Sequence, residues 1–157
     1  MSNLRETITK TLNIFFAGYI DGAKDATKLS TVLTPDCLRT IAPLTFLNAI
    51  GAPADLALDN KTYEESYAGE LAVAWGKSLD EVANVVIDVE ARTAAATTVY
   101  TNEFSDGAEF RFEFAWFLKF NEDGTAIERV LEWVDSAGTV KYHAKIAELG
   151  GKAPGKE

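Results

Sequence analysis

The stretch FEFAWFLKFNEDGTAIERVLEWVDS, Phe112 to Ser136, decides the fold. Its first nine residues carry five aromatic rings, at Phe112, Phe114, Trp116, Phe117 and Phe120. Their spacing is largely the period-two alternation of a strand with a buried face. NEDGT follows as a turn, with Gly124 suited to the left-handed position of a three-residue hairpin loop, and a second strand runs on from Ala126. Such a loop predicts that Asn121 pairs with Thr125, which sets Glu132 opposite Phe114 and Arg111 opposite Asp135. One face then holds Phe112, Phe114, Trp116, Leu118 and Phe120 with Glu132 among them. The other holds Arg111, Glu113, Ala115 and Phe117 beside Leu131, Trp133 and Asp135. A sheet covered on one side shows polar residues on the other. Two apolar faces therefore predict a second cover, most simply another copy of the chain: a homodimer through the β-sheet.

Upstream of the hairpin, NVVIDVEARTAAATTVYTNEF (Asn84 to Phe104) continues the β pattern and joins the aromatic strand at Ser105-Asp106-Gly107. Before residue 83 the period is that of helices. Leu4, Ile8, Leu12, Phe15, Phe16, Tyr19 and Ile20 form one apolar stripe behind a Ser2 or Asn3 cap. A short helix over roughly Ala26 to Leu33 ends before Pro35. A third spans Thr62 to Leu79, where Thr62 and Glu65 have capping-box spacing and Tyr63, Tyr67, Leu71, Ala74 and Trp75 share a face. Between them, Thr34 to Asn60 carries Pro35, Pro43 and Pro53 and reads as a loop with one short strand or helical turn. Loops of that length often form lids or pocket walls. Helices followed by an antiparallel sheet make an α+β fold, expected as one domain over residues 1–149 with GGKAPGKE, 150–157, as a disordered tail.

Composition narrows the chemistry. The chain has 157 residues, 47% of them apolar and 25% charged, enough for a real core. It shows no secretory signal and no apolar run near the roughly 18 residues of a membrane span. The single Cys37 cannot form an internal disulfide. A cytoplasmic protein with no membrane partner is expected. A formal charge of −9 speaks against nucleic acid, which asks for clustered Lys and Arg. There is no glycine-rich phosphate loop and no spaced Cys/His metal set, and one His with one Cys leaves no triad. Acid–base chemistry without a cofactor remains.

The order of these elements, with FFAGYIDGAKDATKLSTVLTPDCLRTIAP early and FAWFLKFNEDGTAIERVLEWVDS late, resembles the nuclear transport factor 2-like superfamily. Within it, the chain resembles the SnoaL-like branch of small fungal secondary-metabolite proteins, which includes meroterpenoid and polyketide tailoring isomerases. The matching signatures are CLRT at Cys37–Thr40, DNKTY at Asp59–Tyr63, DVEAR at Asp88–Arg92 and EWVDS at Glu132–Ser136, and the likeness covers roughly residues 10 to 140. The segment 105–111 is longer than usual. Asn102-Glu103-Phe104 and Phe112-Glu113-Phe114 compete for the family's Asn-Glu-Tyr position; distance to the hairpin turn favours the second, with Phe114 replacing the tyrosine. The resemblance implies a cone-shaped, curved antiparallel β-sheet packed on three helices from the N-terminal half. The superfamily includes dehydratases, isomerases, cyclases, epoxide hydrolases and binders, so the site must decide the activity.

An aromatic cone holding a few acids suits an apolar polycyclic substrate, because a desolvated carboxylate exchanges protons near neutrality. Asp135 matches the family's terminal acid and serves either as a pocket base or in an ion pair with Arg111. Glu132 is a proton shuttle or a strand-edge residue reaching solvent, and Glu113 is the acid matched in the second signature. Arg39 either holds a substrate oxyanion or makes a structural ion pair. His143, the only histidine, is an acid–base candidate if the C-terminal segment folds across the cone mouth. Tyr19, Tyr63 and Tyr67 offer phenols to the substrate, with core packing as the other role of Tyr19, and Phe114 and Trp116 form either pocket wall or core. The expected function is a cofactor-independent isomerase or cyclase moving a proton within a terpenoid or polyketide intermediate. The alternatives are a non-catalytic binding or interaction module of the same fold, and a dehydratase or an epoxide or lactone hydrolase.

Overall fold

The computed structural model describes residues 3–150, so the expected tail lies, beyond Gly150, outside the described residues. Helix α1, Leu4–Asp21, starts where the Asn3 side chain accepts the Arg5 N–H, and it buries Ile8, Leu12, Phe15, Phe16 and Tyr19. The second helix is a single 3-10 segment, Ala26–Ser30, capped by Asp25. It stops short of Leu33 because the chain there enters a strand.

The proline-rich stretch expected as a loop is regular structure: β1 Leu33–Ala42, α2 Leu44–Ile50 and β2 Ala57–Leu58. Pro35 is tolerated because the pairing of β1 breaks register between Leu33 and Leu38, where no ladder bond needs its missing N–H. Pro43 stands at the N-cap of α2. Helix α3, Asn60–Leu71, is capped by Asp59, whose carboxylate accepts the Thr62 N–H at 2.7 Å, and ends well before the expected Leu79. The residues from Ala74 onward belong to β3, Ala74–Asp88. Strands β4 Thr93–Phe104, β5 Glu109–Phe120 and β6 Ile127–Val134 follow, and the chain closes with α4, Ser136–Glu148, an element absent from the sequence reading.

The six strands form one sheet in the order β2-β1-β6-β5-β4-β3. Bulges between Ala74 and Gly76, Leu79 and Glu81, and Ala83 and Val86 bend β3. The sheet is not wholly antiparallel, since β1 runs parallel to β6. The β5–β6 hairpin also departs from its expected register. Asn121 N–H donates to the Ala126 carbonyl, and the loop of Glu122 to Thr125 is held by Asp123, which accepts both the Thr125 N–H and its hydroxyl. A further register shift lies between Lys119 and Phe120. Glu132 therefore pairs with Trp116 rather than Phe114, and Asp135 comes opposite Glu113, to whose carbonyl its N–H donates at 3.1 Å, rather than opposite Arg111. The two irregularities together shift the pairing by two residues, so the faces keep the composition expected of them.

The inner face packs on α1. Trp116 is 1% exposed and meets Phe15 edge-on at 5.4 Å, and its indole N–H donates to Thr98 Oγ1 at 2.7 Å. The hairpin tip docks on the same helix: Thr11 donates to the Gly124 carbonyl at 2.7 Å. Gly124 has φ +75°, and a Cβ there would lie 2.8 Å from Ile8 Cγ1, so the position requires glycine twice over. A separate cluster joins α4 to the sheet, with Tyr142 and Ile146 against Phe104 and Phe112. Among the described residues no helix is long and apolar enough to cross a membrane.

Candidate active site

A cavity of about 70 Å³ lies on the inner face, walled by α1, α3, α4 and strands β3 to β6. Two polar networks meet in it. The first is built by register. On the parallel pair β1–β6, Arg39 lies beside Val130 and Ile41 beside Glu132, so Arg39 and Glu132 are diagonal neighbours on the inner face. The Arg39 guanidinium donates to the Tyr19 hydroxyl and, at 3.4 Å, to Glu132 Oε2. Tyr63 donates to the same carboxylate oxygen at 3.3 Å, and the Tyr19 and Tyr63 hydroxyls are 3.2 Å apart. The guanidinium also stacks 3.6 Å from the centre of the Tyr63 ring. Arg39 is 3% exposed and Glu132 8%. Burial pushes both phenols above the usual tyrosine range, with Arg39 opposing it.

The second network comes from elements that the sequence reading placed otherwise or not at all. Glu70, in the last turn of α3, accepts the Tyr142 hydroxyl at 3.2 Å, and Tyr142 in turn accepts Asn102 Nδ2 at 2.8 Å. His143 Nε2 lies 4.0 Å from the other Glu70 oxygen. Lys77 of β3 pairs across the ladder with Asn102, and its Nζ sits 4.7 Å from the Tyr67 ring and 5.1 Å from those of Tyr19 and Tyr100. Burial pushes the Glu70 carboxyl up to about 7, against the pull of Lys77. Burial likewise brings the Lys77 ammonium down to about 8, against Glu70 and Glu132. Two groups that normally titrate far apart are thus brought close to one another around neutrality.

Most of the candidates converge here. Tyr19, Tyr63, Tyr67, Glu132, Phe114, Trp116 and His143 all line the cavity, and Arg39 stands behind Glu132. His143 arrives because the C-terminal segment does fold across the site, as α4. Two acids lie elsewhere. Asp135 is the N-cap of α4, its Oδ1 accepting the Gly138 N–H at 3.0 Å. Glu113 is exposed on the outer face, where it shares a shallow depression with Asp135 and Trp133. In the competing signature, Asn102 is the residue that lines the cavity. Glu70, Lys77, Asn102 and Tyr142 went unrecognised as site residues. Among the described residues no three His, Cys, Asp or Glu side chains converge as metal ligands would.

No protein-family model matches the sequence, and no curated protein matches it. Solved structures do match the fold. BvnE pinacolase from Penicillium brevicompactum superposes with a TM-score of 0.78 at 22% identity, over 94% of this chain and 96% of its own. PrhC from Penicillium brasilianum gives 0.77 at 15% identity over 94% and 92% of the two chains. AusH from Aspergillus nidulans gives 0.70 at 21% identity over 84% and 86%. The chain has the nuclear transport factor 2-like fold. The curved sheet and its helices enclose the cavity, which is why elements distant in sequence contribute side chains to one site.

Proposed function

We propose that the protein is a cofactor-independent isomerase or cyclase that transfers protons within an apolar polycyclic intermediate of terpenoid or polyketide origin. The observation that carries this reading is the meeting of two carboxylates, the buried Glu132 and the largely buried Glu70, in one aromatic-walled cavity, each hydrogen-bonded to a phenol. Asp135, engaged as a helix cap, gives up the base position to them. Glu132 is oriented by Arg39 and Tyr63 to take a proton from carbon beside a carbonyl. The Tyr19 and Tyr63 hydroxyls, with Arg39 behind them, stabilise the oxyanion that forms. Glu70, its carboxyl near 7, returns the proton at a second position. The fold neighbour BvnE is named a pinacolase. A pinacol-type shift also begins by protonating a departing hydroxyl, so the same pair of acids would serve that chemistry.

Ligand pockets usually measure roughly 300–1,000 Å³, so a cavity of about 70 Å³ must open to admit such a substrate. Helix α4 is the wall to move, because its buried residues belong to their own small cluster rather than to the main core. The test is deuterium incorporation into candidate polycyclic ketones in heavy water. Wild-type protein should exchange a specific carbon-bound hydrogen, and Glu132→Gln should bind the same compound without exchanging it. Binding without exchange by the wild type would make the protein a carrier instead.

We also infer a homodimer through the outer face of the sheet. The register lines up Thr40, Leu131, Phe117, Ala95 and Val86 across β1, β6, β5, β4 and β3, and Phe117 and Trp133 are 49% and 48% exposed. The adjoining row runs Leu38, Arg129, Lys119, Thr93 and Asp88 and carries both signs of charge, so a twofold mate can set the basic pair of one copy against the acid of the other. Covering the exposed halves of these two rings on both copies would contribute roughly 3–6 kcal/mol.

A further inference from the structure

Lys77 has no part in the proton transfers above, yet it lines the same cavity. Among the described residues its Nζ makes no hydrogen bond and no ion pair; it lies over the faces of Tyr19, Tyr67 and Tyr100, with the charges of Glu70 and Glu132 acting on it from farther off. A methionine would fill this position without the desolvation cost of an ammonium. A charged side chain held in such surroundings calls for a use.

We propose that Lys77 is a nucleophilic amine that condenses with a ketone or aldehyde carbonyl of a ligand seated in this cavity. The inference rests on the cavity being the ligand site, as proposed above. Desolvation leaves a sizeable fraction of the amine neutral near pH 8, which is the form that attacks carbonyl carbon. The neutral Nζ adds to that carbon and one N–H proton passes to the oxygen, giving a carbinolamine. The protonated Glu70 carboxyl donates to this hydroxyl, which leaves as water and leaves an iminium. The iminium charge faces the same tyrosine rings that now face the ammonium. The Glu70 carboxylate then takes the proton from the adjacent carbon, giving an enamine. Reprotonation at another carbon, followed by addition of one water, releases the isomer and restores the amine. The substrate class is thereby narrowed to carbonyl compounds with a hydrogen on the neighbouring carbon.

The probe is acetylacetone, added to the full chain without reductant. Condensation forms an enaminone, seen as a new near-ultraviolet band and as a mass increase equal to the diketone less one water. Peptide mapping should place the adduct on Lys77, and Lys77→Met should lose it. Lys61, which is 84% exposed, serves as the internal reference. At pH 7.5 Lys77 should react roughly 100-fold faster than Lys61, because a far larger share of it is neutral. Its rate should level off above pH 8. Glu70, Glu132, Tyr142 and His143 face it across the cavity, with Tyr19, Tyr67 and Tyr100 around the amine. No adduct at Lys77, or labelling no faster than at Lys61, overturns the inference. Exchange that persists in Lys77→Met with no adduct on the wild-type amine refutes this inference and leaves the proposed function standing, whereas an adduct on Lys77 with no exchange by the wild type refutes the proposed function instead.

Discussion

Replacing Glu70 with glutamine should stabilise the folded protein above neutrality while impairing its chemistry. The folded carboxyl is raised by burial from its ordinary 4.5 to about 7. The folded state therefore binds more protons than the unfolded chain between those values, and stability falls as pH rises through that window. Below pH 4.5 both states are protonated and the group contributes nothing. Above pH 7 the folded state bears a cost of about 3 kcal/mol. Glutamine keeps an acceptor for the Tyr142 hydroxyl and removes the charge. It also leaves Lys77 without the larger of the two carboxylate charges that favour its ammonium, which returns part of the gain, so the net stabilisation at pH 8 should be about 1–3 kcal/mol. The measurement is urea unfolding of both proteins at pH 5 and pH 8, comparing midpoints at fixed slope. The difference should grow between the two pH values and favour the variant at the higher one. Equal destabilisation at both would show that Glu70 is a neutral structural partner of Tyr142 and not a strained acid.

The remaining expectations bear on other parts of the molecule. Gly124→Ala should cost about 1–3 kcal/mol in thermal or urea unfolding, because alanine must adopt φ +75° and push its Cβ against Ile8 and Leu4. Asp135→Ala should lose ~0.5–2 kcal/mol as the α4 cap disappears, while Asp135→Asn, which caps equally well, should keep both stability and deuterium exchange; a collapse of exchange in the asparagine variant would return Asp135 to the role of base. Sedimentation at micromolar concentration should give a dimer mass for the wild type and a monomer mass for Trp133→Ser combined with Phe117→Lys. A monomeric wild type would remove the proposed interface.

The legible parts of the fold are those whose signals are local. Alternating Phe112, Phe114, Trp116, Leu118 and Phe120 form a strand wherever they occur, and the stripe from Ile8 to Tyr19 can only be a buried helix face. β1 was hidden because its partner is remote: Arg39 pairs with Val130, and nothing near Pro35 announces a parallel neighbour ninety residues later. α4 did leave a signal, since Thr139, Tyr142 and Ile146 recur at helical steps behind Asp135, and the same aspartate fits both a strand-end acid and an N-cap.

The site was harder to read because its second half turns on a single boundary. Glu70 and Lys77 are close in sequence, and a helix drawn through both to Leu79 sets them two turns apart, where they have no reason to meet one ligand. Ending α3 at Leu71 and starting β3 at Ala74 changes this. Glu70 then hangs from the last helical turn, and Lys77 points inward as the ladder partner of Asn102. Residues such as Leu71 and Ala74 satisfy helical spacing, and Ala74, Gly76 and Ser78 satisfy strand spacing, so propensity does not choose between them. What chooses is the pairing of β3 with β4, a tertiary interaction. The chemistry follows from that choice: the same termination that costs α3 two turns of helix brings an acid and an amine into one cavity with their proton affinities drawn together.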